Sequence, residues 1–278
     1  MKKLFAGLTL VMVAVMMFTG CAGGANTATG DEAGSDLATI KAAGQMVIGI
    51  TEYDPMNYYD EDGTLIGFDT EYAQAVCEKL GVEAKFQVIN WKTKEAELAA
   101  GNIDAIWNGL TVTEERKNDM DFTDPYLTNK QCIVINKDNA SAYTSADKMT
   151  SAIITAESGS AGETAILADE SLAKATFTPA DSQKNALVAL AAGNADAAVI
   201  DITLATASVG QGTYENLMIV EGIDLADEQY AIGFRVGSDL TAEVNKITDE
   251  LIESGTMAKL AEKYELTDRF NEALQIAE

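Results

Sequence analysis

Short apolar runs alternate along this chain with amphipathic stretches. Met46-Val47-Ile48-Gly49-Ile50 has the length of a buried strand. Val82, Ala84, Phe86 and Val88 alternate with Glu83, Lys85 and Gln87, the period of two that a strand imposes. Between them, a helix capped by Asp69 or Thr70 is expected to run to Leu80 and stop at Gly81. A second helix is expected from about Thr93 to Ala100, ended by Gly101, with a strand over Ile103–Trp107. Tyr230–Phe234 reads as a late strand, Leu240–Glu253 as a helix, and a last helix passes through Tyr264. Strands separated by helices of this length predict βαβ units and a mainly parallel sheet, an α/β fold.

The pattern nearly repeats. Residues 98–105 read LAAGNIDA and residues 190–197 read LAAGNADA, an offset of 92. Each copy ends a helix, breaks at a glycine (Gly101, Gly193) and enters an apolar strand. An alanine-rich chain produces Ala-Ala-Gly-Asn by chance, but the flanking pattern matches too, which predicts two similar lobes. Ligands of open α/β sheets bind beyond the carboxyl ends of strands. Asn108-Gly109 and Asp201 hold that place in the two copies, so one ligand between two lobes is expected.

Charge and cysteines narrow the function. The formal net charge is −25, which repels polyanions and excludes a nucleic-acid partner. Histidine is absent, which removes the commonest general base and metal ligand and every Ser-His or Cys-His pair. No metal or cofactor is implied. Cys77 and Cys132 sit in apolar settings, too far apart in sequence for a metal site, and read as buried free thiols, with a disulfide between them as the alternative in an exported protein.

Lys2 and Lys3, the apolar run Leu4–Phe18 and Thr19-Gly20-Cys21 resemble a bacterial lipoprotein signal, with Phe18 where leucine is usual. That resemblance implies cleavage after residue 20, acylation of Cys21 (palmitate among the chains) and an extracytoplasmic, membrane-anchored protein. Residues 21–36, small and polar, read as a flexible tether.

Longer motifs carry a second resemblance. GFDTEYAQAVCEKLG (67–81), AAGNIDAIWNGLTVTEERKNDMDFTDPYL (99–127), ESGSAGETA (157–165), AAGNADAAVID (191–201) and QYAIGFRVGSDL (229–240) are similar to the family 3 solute-binding proteins of polar amino acid ABC transporters. The resemblance implies a periplasmic-binding-protein-like clamshell. Two doubly wound lobes are joined by two hinge strands, with residues 37–134 and 231–278 in lobe 1 and 135–230 inserted as lobe 2. It further implies a monomeric, non-enzymatic protein that traps an amino acid and delivers it to a membrane permease.

The candidate site follows. An arginine fork holds a carboxylate bidentately. Arg116, flanked by Glu114 and Glu115, would by itself read as a solvated surface pair, but in the resemblance it clamps the ligand's carboxylate. Thr111 and the backbone of Asn108 and Gly109 would add hydrogen bonds, although threonine is also simply a good strand former. Asp201 would take the α-ammonium, against the alternative of a helix N-cap. The turn at Ser160 and Ala161, before a helical run, offers backbone N–H groups to an anion. Tyr53 and Trp91 are aromatic candidates for the ligand's aliphatic part, with core packing as the alternative. Glu52 could select a basic ligand side chain, with an exposed carboxylate as the default reading, and no spacing argument decides it or Trp107. Two other functions stay open at this point: a sensory binding module without transport, and a dehydratase-type enzyme on the same fold.

Overall fold

The computed structural model describes residues 34–276 apart from residue 224. The signal segment, Cys21 and the tether up to residue 33 lie outside the described residues.

In chain order, α1 (Asp36–Ala43) and β1 (Gln45–Ile50) are followed by a small hairpin, β2 (Tyr58–Tyr59) and β3 (Leu65–Ile66). Next come α2 (Phe68–Leu80), β4 (Glu83–Val88), α3 (Lys94–Ala99), β5 (Ala105–Thr111), β6 (Asp121–Phe122) and the long β7 (Leu127–Asn136). Then follow β8 (Ile153–Glu157), α4 (Ala161–Ala168), β9 (Thr176–Ala180), α5 (Gln183–Ala191), β10 (Ala197–Asp201), α6 (Ile202–Ser208) and β11 (Leu217–Ile219). The chain closes with β12 (Asp227–Phe234), α7 (Leu240–Glu253), α8 (Thr256–Lys263) and α9 (Thr267–Ile276).

The strands lie in the order β4-β1-β5-β12-β7-β10-β8-β9. At one end β1 pairs in parallel with β4 and β5, and β5 pairs antiparallel with β12. At the other, β8 pairs in parallel with β9 and β10, and β10 pairs antiparallel with β7. The two ends are joined by β7 and β12. Leu127–Lys130 of β7 pairs with Tyr230–Asp227 of β12, after which β7 turns to β10 and β11. The result is an α/β clamshell with two hinge strands.

Burial follows the pleat of the strands. Cys132 and Val134 of β7 face one apolar cluster, while Ile133 and Ile135 face another in the β8–β10 lobe. In β5, Ala105 and Trp107 face the first cluster; Ile106 and Leu110 face a third, with Leu98 and Met120. Both central strands are buried throughout, as strands covered by helices on both faces require. Trp107 is thus core, edge-on to Tyr72 at 4.8 Å between ring centroids. Cys77 and Cys132 are buried and free, and burial pushes both thiols up to about 12.

Two local expectations are corrected. α2 starts behind Gly67, and neither Asp69 nor Thr70 caps it. The loop carbonyl of Met56 accepts the N–H groups of Asp69 (3.0 Å) and Thr70 (3.3 Å), doing what a side-chain cap would do. The strand expected over Ile103–Trp107 begins at Ala105 and continues to Thr111, so Asn108-Gly109 lies inside β5. The antiparallel partner β12 absorbs the irregularity with a register shift between Ala231 and Gly233.

Candidate functional site

Lobe 1 presents the end of β5 and the turn after it. Both polar atoms of the Asn108 side chain are occupied. Its Oδ1 accepts from Thr51 N (3.0 Å) and Oγ1 (2.8 Å), and its Nδ2 donates to Thr51 O (3.0 Å) and Asn57 Oδ1 (2.6 Å). Asn108 therefore ties the loop after β1 to β5 and leaves its backbone to the site. Gly109 has φ +56°, and a Cβ there would lie 2.6 Å from Cε1 of Tyr53. Only glycine allows that backbone and that aromatic contact together. Its N–H donates to Asp69 Oδ2 (2.7 Å), a carboxylate that burial raises to about 7.

Arg116 starts a short 3-10 turn, Arg116–Asn118. It is 9 % exposed and pairs with neither glutamate beside it, which corrects the solvated-pair alternative. Nη1 donates to Thr111 O (2.8 Å), Nη2 reaches across to Gly159 O in lobe 2 (3.2 Å), and Nε lies 3.8 Å from Glu95 Oε1. The guanidinium is held in place from both lobes with donors to spare.

Lobe 2 contributes the strand ends of β8 and β10. The Ser160 Oγ caps α4 by accepting from Glu163 N (3.2 Å), and Glu163 Oε2 accepts from the N–H of Gly159, the residue before the cap (2.6 Å). Ala161 is the first residue of that helix. Asp201 ends β10 and stands at the N-cap position of α6, but its side chain makes no cap bond there. Its carboxylate accepts instead from Asn129 Nδ2 (3.0 Å), Gln131 Nε2 and Gln183 Nε2. Glu228 of β12 shares two of those donors: Asn129 Nδ2 at 2.7 Å and Gln131 Nε2 at 3.1 Å. It also accepts from Thr111 Oγ1 at 3.1 Å. Burial raises both carboxyls, and the two negative charges oppose one another.

Tyr53 and Trp91 are 2 % and 5 % exposed. The Tyr53 hydroxyl lies 2.6 Å from that of Tyr230.

One cavity between the lobes is lined by Tyr53, Trp91, Asn108, Gly109, Thr111, Arg116, Ser160, Ala161 and Asp201, together with Glu157 and Gln183. Its free volume is about 10 Å³, so the lobes are drawn shut. Cross-lobe contacts hold them there: Arg116 and Lys94 Nζ (3.1 Å) to Gly159 O, and Lys184 to Glu52 (2.7 Å). The exposed Glu52 thus spends its charge on Lys184 at the rim. A larger cleft of about 820 Å³ opens on the far side of Arg116 and Thr111.

Glu157 and Gln183 escape the sequence reading. Glu157 ends β8 as Asp201 ends β10, so the strand-end rule would have found it. Gln183 opens α5, and nothing in its local sequence marks it.

Residues 46–267 match the model of the bacterial extracellular solute-binding proteins, family 3. The probable amino-acid-binding protein YxeM of Bacillus subtilis is 31 % identical over 78 % of this chain and 81 % of its own. The ABC transporter glutamine-binding protein GlnH of the same organism is 28 % identical over 95 % of this chain and 97 % of its own. Among solved structures, an ancestral arginine-binding protein bound to arginine superposes with a TM-score of 0.74. It has 32 % identity, covering 80 % of this chain and 98 % of that one. The chain belongs to the bacterial extracellular solute-binding proteins, family 3.

Proposed function

We propose that the protein captures an α-amino acid between its lobes and delivers it to an ABC importer. The observation that carries this reading is that Arg116 from lobe 1 and Asp201 from lobe 2 face one cavity. An arginine fork complements an α-carboxylate, and a buried carboxylate complements an α-ammonium. Thr111 and the turn at Ser160 and Ala161 add donors on the carboxylate side, and the Gly109 carbonyl adds an acceptor on the ammonium side. Tyr53 and Trp91 wall the space between. The lobes part along β7 and β12 to admit the ligand, and its bonds to both lobes favour the shut state. The ligands of the relatives, glutamine and arginine, support the amino acid class. No step of this cycle is chemical, and the protein acts as a monomer. Lipid on Cys21 holds it at the outer face of the cell membrane, with residues 21–36 as the tether.

The test is a thermal-shift screen of the purified, ligand-free protein against the proteinogenic amino acids, ornithine and cystine. A ligand of the folded state raises the melting temperature with its excess over Kd. One or a few amino acids should do so, and Arg116→Ala should abolish the shift. A folded protein that responds to none of them overturns the reading. For the anchor, Cys21→Ala should move the protein from membranes to the soluble extracellular fraction; continued membrane association would refute acylation.

A further inference from the structure

We propose that Glu157 reads the ligand's side chain, and that the amino acid captured carries a cationic one. This rests on the amino acid reading above and names its ligand class. Glu157 ends β8, the parallel neighbour of the strand that ends in Asp201, and lines the same cavity. It is 2 % exposed, and its Oε1 accepts no hydrogen bond among the described residues. A buried acceptor left without a donor is costly, so this oxygen stands ready for a donor that the ligand brings.

The two α-groups of the ligand do not need Glu157. Arg116 answers the carboxylate and Asp201 the ammonium, which leaves Glu157 for the third group. Nor does the neighbouring lysine satisfy it. The Lys94 ammonium has three donors. They go to Trp91 O (3.3 Å), Gly159 O (3.1 Å) and Glu95 Oε1 (2.8 Å). The charges point the same way. Of the charged residues lining the cavity, Arg116 is the cation, against the carboxyl groups of Glu157 and Asp201. Outside the cavity, Glu95 pairs with Lys94 and lies 3.8 Å from Arg116. A zwitterion with a neutral side chain gives the Glu157 carboxyl no counter-charge, so burial keeps it protonated; a side-chain ammonium or guanidinium beside it favours the ionised form and pairs with it. Glu52, another acidic residue near the cleft, is already paired with Lys184.

Calorimetric titration of ligand-free protein with L-arginine, L-lysine, L-methionine and L-glutamate tests this. Arginine or lysine should bind at least about tenfold more tightly than methionine, and glutamate most weakly. In Glu157→Gln, which keeps the shape and removes the charge, the ratio of basic to methionine affinity should fall by about tenfold or more. Glu157→Ala should lower the same ratio, and serves if the glutamine variant does not fold. Methionine or glutamate matching the basic ligands in the unaltered protein overturns the inference, as does an unchanged ratio in a folded variant. Either outcome leaves the amino acid reading standing, whereas a protein that binds no amino acid at all sinks both.

Discussion

The two lobes are built alike and charged apart. β5 begins at Ala105 and β10 at Ala197, the repeat offset of 92 to the residue. Gly101 and Gly193 precede them with φ of +72° and +75°. The aspartate before each strand anchors it in the same way. Asp104 Oδ2 accepts from Val47 N at 2.8 Å, and Asp196 Oδ2 accepts from Ile153 N at 2.8 Å. The residues carried on these twin frames differ. Gly109 in lobe 1 corresponds to Asp201 in lobe 2, and Trp107 corresponds to Val199. Lobe 1 brings Arg116 and backbone groups to the cavity, while lobe 2 brings Asp201 and Glu157. A repeated scaffold thereby makes a dipolar cleft, suited to a ligand with opposite charges at its two ends. What is shared between the lobes is how a strand is positioned; what is not shared is what that strand presents.

The sharpest contrast should be in the cores. Trp107→Ala should cost about 3–5 kcal/mol in denaturant unfolding, while Val199→Ala at the equivalent place should cost about 2 kcal/mol. Equal losses would mean that the aromatic cluster of Trp107 and Tyr72 adds nothing to lobe 1. In the cleft, Asp201→Asn should weaken binding of the best amino acid about 100-fold, because a charged contact is lost and three amide donors are left facing a neutral amide. A titration showing less than about fivefold loss would return Asp201 to a purely structural role.

Lobe 2 should also make stability fall with pH. Burial raises Glu157 to about 8, and it raises Asp69 in lobe 1 to about 7. A carboxyl raised in the folded state contributes fully below its unfolded pKa, and that contribution is lost as pH rises through the folded value. Glu228, raised to about 7 by burial and by Asp201, adds to the loss between about pH 5 and 7.5, and the chain has no histidine to titrate there. The melting temperature of ligand-free protein should therefore drop across that window, and Glu157→Gln should flatten the drop. A flat profile in the unaltered protein would mean that the lobes open enough to hydrate these groups. The smallest effects should separate the twin anchors. Asp196→Ala should cost about 1 kcal/mol for its one backbone bond. Asp104→Ala should cost about 1 kcal/mol more, since Asp104 also pairs with Arg235 at 3.2 Å.

Local pattern carried far along this chain. The helix expected over Leu240–Glu253 is α7 residue for residue, because its apolar stripe of Leu240, Val244, Ile247 and Leu251 is buried at helical spacing. The repeat located both central strands, and the motifs named nine residues that line one cavity. Where the reading slipped, a distant partner had replaced a local one. α2 starts on the carbonyl of Met56 instead of on its own Asp69.

The sequence by itself determined the alternation of strands and helices, the duplicated frame and the identity of the groups at the strand ends. Those depend on side-chain period and backbone preference, which act over a few residues. Only the tertiary structure decided how each group is used. Arg116 turns away from its neighbouring glutamates, Asp201 gives its oxygens to three amides instead of a helix end, and Glu157 is left with an oxygen that has no partner among the described residues. These outcomes depend on desolvation and on partners tens of residues away, such as Gly159 for Arg116 and Asn129 for Asp201. Burial makes such contacts decisive, and burial is a property of the folded chain.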